Sequence, residues 1–283
     1  MDAFATTLLD FMQADNVRFM IPVFQRRYSW GKTNCKQLMD DLLVLINNQR
    51  ARHYFGSMVS AVFRDGEIEQ WSIIDGQQRL TTVTLLLLAI VRLLREDAVG
   101  HTSIENLDGL IEKFLYNTLS TDNSRLKLRL IQSDQRELEE LVEGDASYLS
   151  SSDIKRNYLY FYDRIQEENI GVVGLLSAIC KLEVISLTLG SDDDAQQIFE
   201  SINSTGMPLE EADKIRNYIL MGIAPAEQER LHNDFWLKLE EKTQRGLSDF
   251  IRHYLSIKVA NIPRKSETFQ AFRSYTQSND LKG

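Results

Sequence analysis

Cysteine is nearly absent from this chain: Cys35 and Cys180 are the only two in 283 residues. That excludes a disulfide framework and a four-cysteine zinc site. Histidine is scarce as well, with four copies at 53, 101, 232 and 253. They stand at no metal-ligand spacing among themselves or with the cysteines, and no His-Glu-x-x-His occurs. The chain also lacks a Gly-x-x-x-x-Gly-Lys-Ser/Thr phosphate loop, a Gly-x-Ser-x-Gly nucleophile elbow and any His-Asn-His nuclease pattern. Its longest apolar run, Leu85 to Val91, is far short of the roughly 20 residues a membrane span requires. No basic n-region followed by an apolar h-region opens the chain, so no secretory signal is expected. The expectation is a reduced, soluble, cytoplasmic protein with no membrane partner.

The composition is that of an ordinary globular protein, 43% hydrophobic and 26% charged. The length allows one large domain or two modest ones. The net charge is −9, so the chain is a poor general nucleic-acid binder, because non-specific affinity comes from neutralising phosphates. Acidity is uneven, however. Residues 1–60 carry seven Lys/Arg against five Asp/Glu, and a local basic surface there remains able to meet phosphates.

Apolar periodicity predicts helices over 3–13, 33–48, 77–95, 134–143, 153–168, 194–202, 209–223, 227–241, 245–258 and 266–277. Strands are expected at 16–21, 55–63, 67–74, 124–131 and 183–189, with Asp65-Gly66 as the tight turn of a hairpin. In 124–131 the alternation places Leu126, Leu128 and Leu130 inward and Arg125, Lys127 and Arg129 outward. The expected fold class is α+β: a small mixed α/β unit over 1–98, then a mainly helical part over 99–283 packed on it.

Three stretches carry candidate chemistry. In Ile73 to Thr82 an apolar strand runs through Asp75-Gly76 straight into a helix. A helix N-terminus presents unpaired N–H groups and a positive dipole end, and glycine lets a phosphate approach closely. Arg79 in the first turn opposes the dipole by a few tenths of a kcal/mol, which suits an arginine placed to grip an anion. The competing reading is structural: Asp75 caps, Gly76 turns, and Arg79 pairs with a surface acid. The second stretch, Ile21 to Trp30, sets Arg26, Arg27 and Gln25 among Phe24, Tyr28 and Trp30. Arginine offers a planar fork for phosphate and the aromatics a stacking face, or the aromatics plug the edge of the core. The third, Ala195 to Leu209, reads as a helix, a polar loop from Asn203 to Gly206, and a second helix. That loop either cradles an oxyanion or simply reverses the chain.

Taken in chain order, these blocks form a pattern. It comprises Ile21-Pro22, Gln25-Arg26, Tyr28 and Trp30; the acidic helix at Asp40-Asp41; His53-Tyr54-Phe55-Gly56-Ser57; Ile74-Asp75-Gly76-Gln77-Gln78-Arg79-Leu80-Thr81-Thr82; and Phe199-Glu200 to Asp213. The pattern resembles the N-terminal domain of GmrSD-type, modification-dependent restriction proteins. The phosphorothioate-sensing SspE proteins and the BrxU type are similar. The resemblance implies a ParB/sulfiredoxin-like nucleotide-binding unit. It also implies an NTPase that hydrolyses a nucleoside triphosphate with Mg²⁺ and couples this to restriction of modified, often phage, DNA. A separate C-terminal nuclease module or partner subunit would cut the DNA, and this sequence does not contain it.

On that basis Asp75, Gln77, Gln78 and Arg79 are the catalytic candidates, with Asp75 also the metal ligand. Gln25, Arg26, Gly76, Thr81, Asn203 and Gly206 are the nucleotide-binding candidates. Arg27, Tyr28, Trp30 and Lys32 are the candidates for sensing DNA. The alternative is a switch or interaction module that holds a nucleotide or a DNA phosphate without hydrolysis.

Overall fold

The structure, a computed structural model, describes residues 1–48, 51–65, 68–96, 106–117, 125–144, 152–190, 193, 198, 209–223, 225–259 and 261–279. The chain divides into two compact units. The first combines Met1–Ile21 with Arg27–Asp193, and the second combines Pro22–Arg26 with Asp194–Gly283.

The first unit is built on a six-stranded sheet in the order β1-β6-β3-β4-β2-β5. Its strands are β1 (Asp2–Thr7), β2 (Val17–Met20), β3 (His53–Asp65), β4 (Ile68–Asp75), β5 (Leu128–Arg129) and β6 (Leu182–Leu189). The β1–β6 and β3–β4 pairs are antiparallel, and the others are parallel. Its helices are α1 (Leu8–Met12), α2 (Lys32–Asn48), α3 (Gln77–Arg95), α4 (Leu107–Leu115), α5 (Gln132–Val142), α6 (Asp153–Glu167) and α7 (Val172–Ile179).

Helix α2 buries Cys35, Leu38, Met39, Leu42 and Leu45 at the spacing of one helical face. Each such leucine contributes roughly 1.5–3 kcal/mol relative to exposure. Helix α3 is buried almost all round. Its threonines tolerate this because their hydroxyls bond back to the helix: Thr82 Oγ1 donates to Gln78 O at 2.7 Å and Thr84 Oγ1 to Leu80 O at 2.9 Å. Among the described residues α3 is the one helix long and apolar enough to cross a membrane, yet 83% of its apolar window is buried within the protein.

The α+β class, the α2 and α3 helices and the β3–β4 pair agree with the sequence reading. Four expectations need correction. Residues 3–13 are not one helix: β1 pairs with β6 as an edge strand, and Thr7 then caps α1 by accepting from Asp10 N at 3.1 Å. Among the described residues of 124–131 the strand is confined to Leu128–Arg129, and Lys127, expected outward, is 2% exposed. Helices α4 and α7 were not expected. The boundary between units is not at residue 98, because β6 completes the sheet between β1 and β3. The helix expected at 194–202 lies outside the described residues apart from Ile198, which is helical, and Gly66 of the expected hairpin turn also lies outside them.

The second unit is helical. It holds α8 (Glu211–Leu220), α9 (Pro225–Leu231), a π-helical turn (His232–Trp236), α10 (Leu237–Thr243), α11 (Leu247–Val259) and α12 (Thr268–Ser278). Its core gathers Ala212, Ile215, Trp236, Leu247, Ile251 and Leu255, with Phe269, Phe272 and Tyr275 packed against them. Arg216 ties the Pro22–Arg26 segment into this unit. Its guanidinium donates to Phe24 O at 3.0 Å, Glu240 Oε1 at 2.8 Å and Asp213 Oδ1 at 2.8 Å.

Candidate functional site

Strand β4 ends at Asp75 and α3 begins at Gln77, so one residue, Gly76, makes the turn. It sits at φ 93° and ψ 0°, in the left-handed region. A Cβ there would lie 2.4 Å from Met58 Sδ and 3.0 Å from Ser57 O, so space as well as conformation requires glycine. The N-cap of α3 is Gly76 itself, which brings no side chain to the first amides of the helix.

Arg79, one turn into α3, folds back over β3. Its Nη2 donates to Ser57 O at 2.5 Å and to Asp75 Oδ2 at 2.9 Å. Ser57 Oγ donates to the same Asp75 oxygen at 3.3 Å. The arginine Nε is buried and has no hydrogen-bond partner among the described residues. The side chains of Arg79 and Asp75 keep 22% and 23% of their exposure, so this pair remains in reach of solvent and of a ligand.

The neighbouring Gln78 is engaged differently. Its Oε1 accepts from Ser29 N at 2.9 Å and from Trp30 N at 3.1 Å, and its Nε2 donates to Arg27 O at 3.3 Å. Two other helices complete the anchorage of this segment. Asp134 of α5 accepts from Tyr28 N at 2.7 Å, and Asn157 of α6 donates to Trp30 O at 2.6 Å and Tyr28 OH at 3.0 Å. The Tyr28 hydroxyl also bonds Thr82 Oγ1 at 2.7 Å. Tyr28 is 7% exposed, and burial pushes its phenol far above the ordinary range. The nearby Cys35 thiol is pushed up to about 12, again by burial.

The structure thus brings Asp75, Gly76, Gln77, Gln78, Arg79 and Thr81 together at the start of α3. Gln77, Gln78 and Thr81 are buried there. Tyr28 belongs to the core, which leaves its ring covered rather than open for stacking. Arg27 and Lys32 are exposed, and Trp30 is half-buried against the core. The Lys32 ammonium lies 5.6 Å from the centre of the Tyr160 ring. Gln25 and Arg26 belong to the second unit. Asn203 and Gly206 lie outside the described residues.

Sequence reasoning gave no role to Ser57, Met58, Asp134 or Asn157. Only the glycine preceding Ser57 hints at them, since a glycine inside a strand pattern marks a bulge or a close approach.

Among the described residues no group of three or more His, Cys, Asp or Glu could hold a metal ion. Asp75 is a lone carboxylate whose Oδ2 is shared by Arg79 and Ser57. Magnesium is commonly held by one or two carboxylates together with substrate phosphates and water, and a single aspartate beside a phosphate seat fits that donor set.

The family model described as GmrSD restriction endonuclease, N-terminal domain, matches residues 7–220. No curated protein matches the chain.

Proposed function

Because the chain belongs to the GmrSD restriction endonuclease N-terminal domain family, and so to a restriction system directed at DNA, we propose that it is that system's NTP-hydrolysing sensor domain. The observation that carries this reading is Arg79. Its guanidinium is fixed at one corner by Ser57 O and Asp75, and its buried Nε lacks an acceptor among the described residues. An unpaired buried donor costs about 1–3 kcal/mol until an acceptor arrives. A phosphate oxygen at the start of α3 supplies one.

In this reading the amides of Gln77 and Gln78, with Gly76 allowing close approach, seat the phosphates. Arg79 stabilises charge on the transferred phosphoryl group. Phosphoryl transfer is largely positioning and charge stabilisation, so these residue types suffice in kind. Asp75, through the oxygen not bonded to Arg79, would hold Mg²⁺, which supplies further neutralisation of phosphate charge. Gln77 would orient the attacking water, while Gln78 is committed to the 27–30 segment. Arg27, Trp30 and Lys32 are the DNA-sensing surface, with Tyr28 as its buried support. A C-terminal nuclease module or partner subunit would act on the signal.

The commitment of Gln78 also favours a second reading, in which the site binds nucleotide as a switch without hydrolysing it. Phosphate release from ATP, GTP, CTP and UTP with Mg²⁺, by the wild-type chain and by Arg79→Ala, separates the two. Release abolished by the substitution supports the hydrolase. Stoichiometric binding without release supports the switch. Release that survives Arg79→Ala in a folded protein removes the assignment of this site. Modified DNA should change the rate where unmodified DNA does not, and equal effects of the two would remove the sensing role.

A further inference from the structure

Gly56 lies inside β3, where a glycine weakens a strand unless something needs the room. Its φ is +118°, outside the range that side-chain-bearing residues readily adopt. The β3–β6 ladder shifts register between Tyr54 and Gly56, so the chain is bulged at this point. A Cβ on Gly56 would stand 3.0 Å from Arg79 Cζ, 3.1 Å from Nε and 3.1 Å from Nη1. Three near-equal distances mean that the guanidinium lies broadside on the glycine. The next two residues touch the same turn: Ser57 bonds Arg79 and Asp75, and Met58 sulfur fills the space beneath Gly76.

We infer that Gly56 is a positioning residue for the phosphate site: its bare Cα is the platform that fixes the plane of the Arg79 guanidinium. The two acceptors on Nη2 fix one corner of the fork, and the platform fixes its tilt. Planar, directional recognition of phosphate oxygens depends on that tilt. A lysine at the same place, a point charge without a plane, has no use for the platform. The inference rests on the proposed contact between Arg79 and phosphate.

The test is a double-mutant cycle read by equilibrium binding of fluorescent, non-hydrolysable ATP and GTP analogues with Mg²⁺. It compares wild type, Gly56→Ala, Arg79→Lys and the double variant. Displacing a positioned group by about 1 Å can cost up to about 100-fold. Gly56→Ala should therefore weaken binding at least about tenfold beside Arg79 and less than about twofold beside lysine. Equal losses in both backgrounds, or none beside Arg79, overturn the inference.

Thermal midpoints of Gly56→Ala with and without Arg79→Ala separate the causes of any destabilisation. Backbone strain survives removal of the arginine, and the guanidinium clash does not. A midpoint that fails to rise on its removal counts against the platform. Phosphate release distinguishes this failure from that of the proposed function. If Arg79→Ala abolishes release and Gly56→Ala leaves binding intact, only the platform falls. If the wild-type chain neither binds nor hydrolyses nucleotide, both fall.

Discussion

Lys127 and Arg79 are both cations enclosed by the first unit, and the fold treats them in opposite ways. The Lys127 ammonium is 2% exposed and donates to three backbone carbonyls: Met12 O at 3.1 Å, Ala14 O at 3.0 Å and Lys113 O at 2.9 Å. Two of these carbonyls lie in the last turns of α1 and α4, where helix dipoles favour a positive charge. Burial nevertheless pulls its pKa below the ordinary lysine value. Three donors meet three acceptors, and nothing is left over for a ligand. Arg79 keeps a buried N–H without an acceptor among the described residues, and its partner carboxylate is within reach of solvent. A saturated cation joins elements, whereas an unsaturated one waits for something. Arg216 in the second unit falls on the saturated side, with both its Nε and its Nη atoms engaged.

The contrast is broken most directly by exchanging the readouts. Lys127→Met strands three carbonyls and should cost roughly 3 kcal/mol of stability. For a domain of this size that is about 6–12 °C in thermal midpoint, while hydrolysis per folded molecule stays as it was. Arg79→Ala should do the reverse. Turnover falls at least ~100-fold, or ~2.7 kcal/mol of barrier, while thermal unfolding registers less than about 1 kcal/mol for a pair this accessible. Lys127→Met that spares stability, or Arg79→Ala that collapses the fold, would erase the distinction.

Gln78→Leu sharpens it, because Gln78 is adjacent in sequence yet saturated. It should cost about 2 kcal/mol of stability and speed hydrogen exchange at the Ser29 and Trp30 amides. Unchanged exchange at those two amides would refute the clamp. Thiol labelling at pH 8 gives a smaller signal. Cys180, the exposed cysteine, should react first, while Cys35, enclosed and with its thiol pushed up to about 12, stays unmodified until the protein unfolds. Mass spectrometry after a short pulse reads this directly.

The smallest effect concerns Asp40, which Lys36 and Arg164 hold below the usual carboxylate range. Its contribution is present above the ordinary aspartate value and fades as pH falls through the depressed one. Asp40→Asn should therefore flatten the acid limb of the stability profile slightly, and a steeper limb would contradict this.

Helices α2 and α3 and the β3–β4 pair were legible in the sequence because local periodicity alone determines them. So was the Asp75-Gly76 turn, since a strand running into Asp-Gly and then a helix has few other solutions. Edge strand β1 was not legible. The apolar residues from Phe4 to Met12 suggest a helix, and what makes Asp2–Thr7 a strand is β6, far along the chain. Lys127 failed for the same reason: alternation turns it outward, and its acceptors come from residues 12, 14 and 113. The motif was readable as a set of candidates, but its division of labour was not. What separates Gln78 from Arg79 is atoms contributed by residues 27–30 on one side and by Gly56, Ser57 and Asp75 on the other.

The place of β6 between β1 and β3 has a consequence for synthesis. A ribosome elongating at about 5–20 residues per second releases β1 on the order of ten seconds before its partner. During that interval β1 and one side of β3 lack their partner, and for part of it the apolar helix α3 has emerged without α6 to pack on. The sheet therefore cannot close until about two-thirds of the chain has been made, when Leu182–Leu189 supplies the strand between β1 and β3. A piece of this protein cut before Leu189 would be an open sheet and not a smaller folded domain.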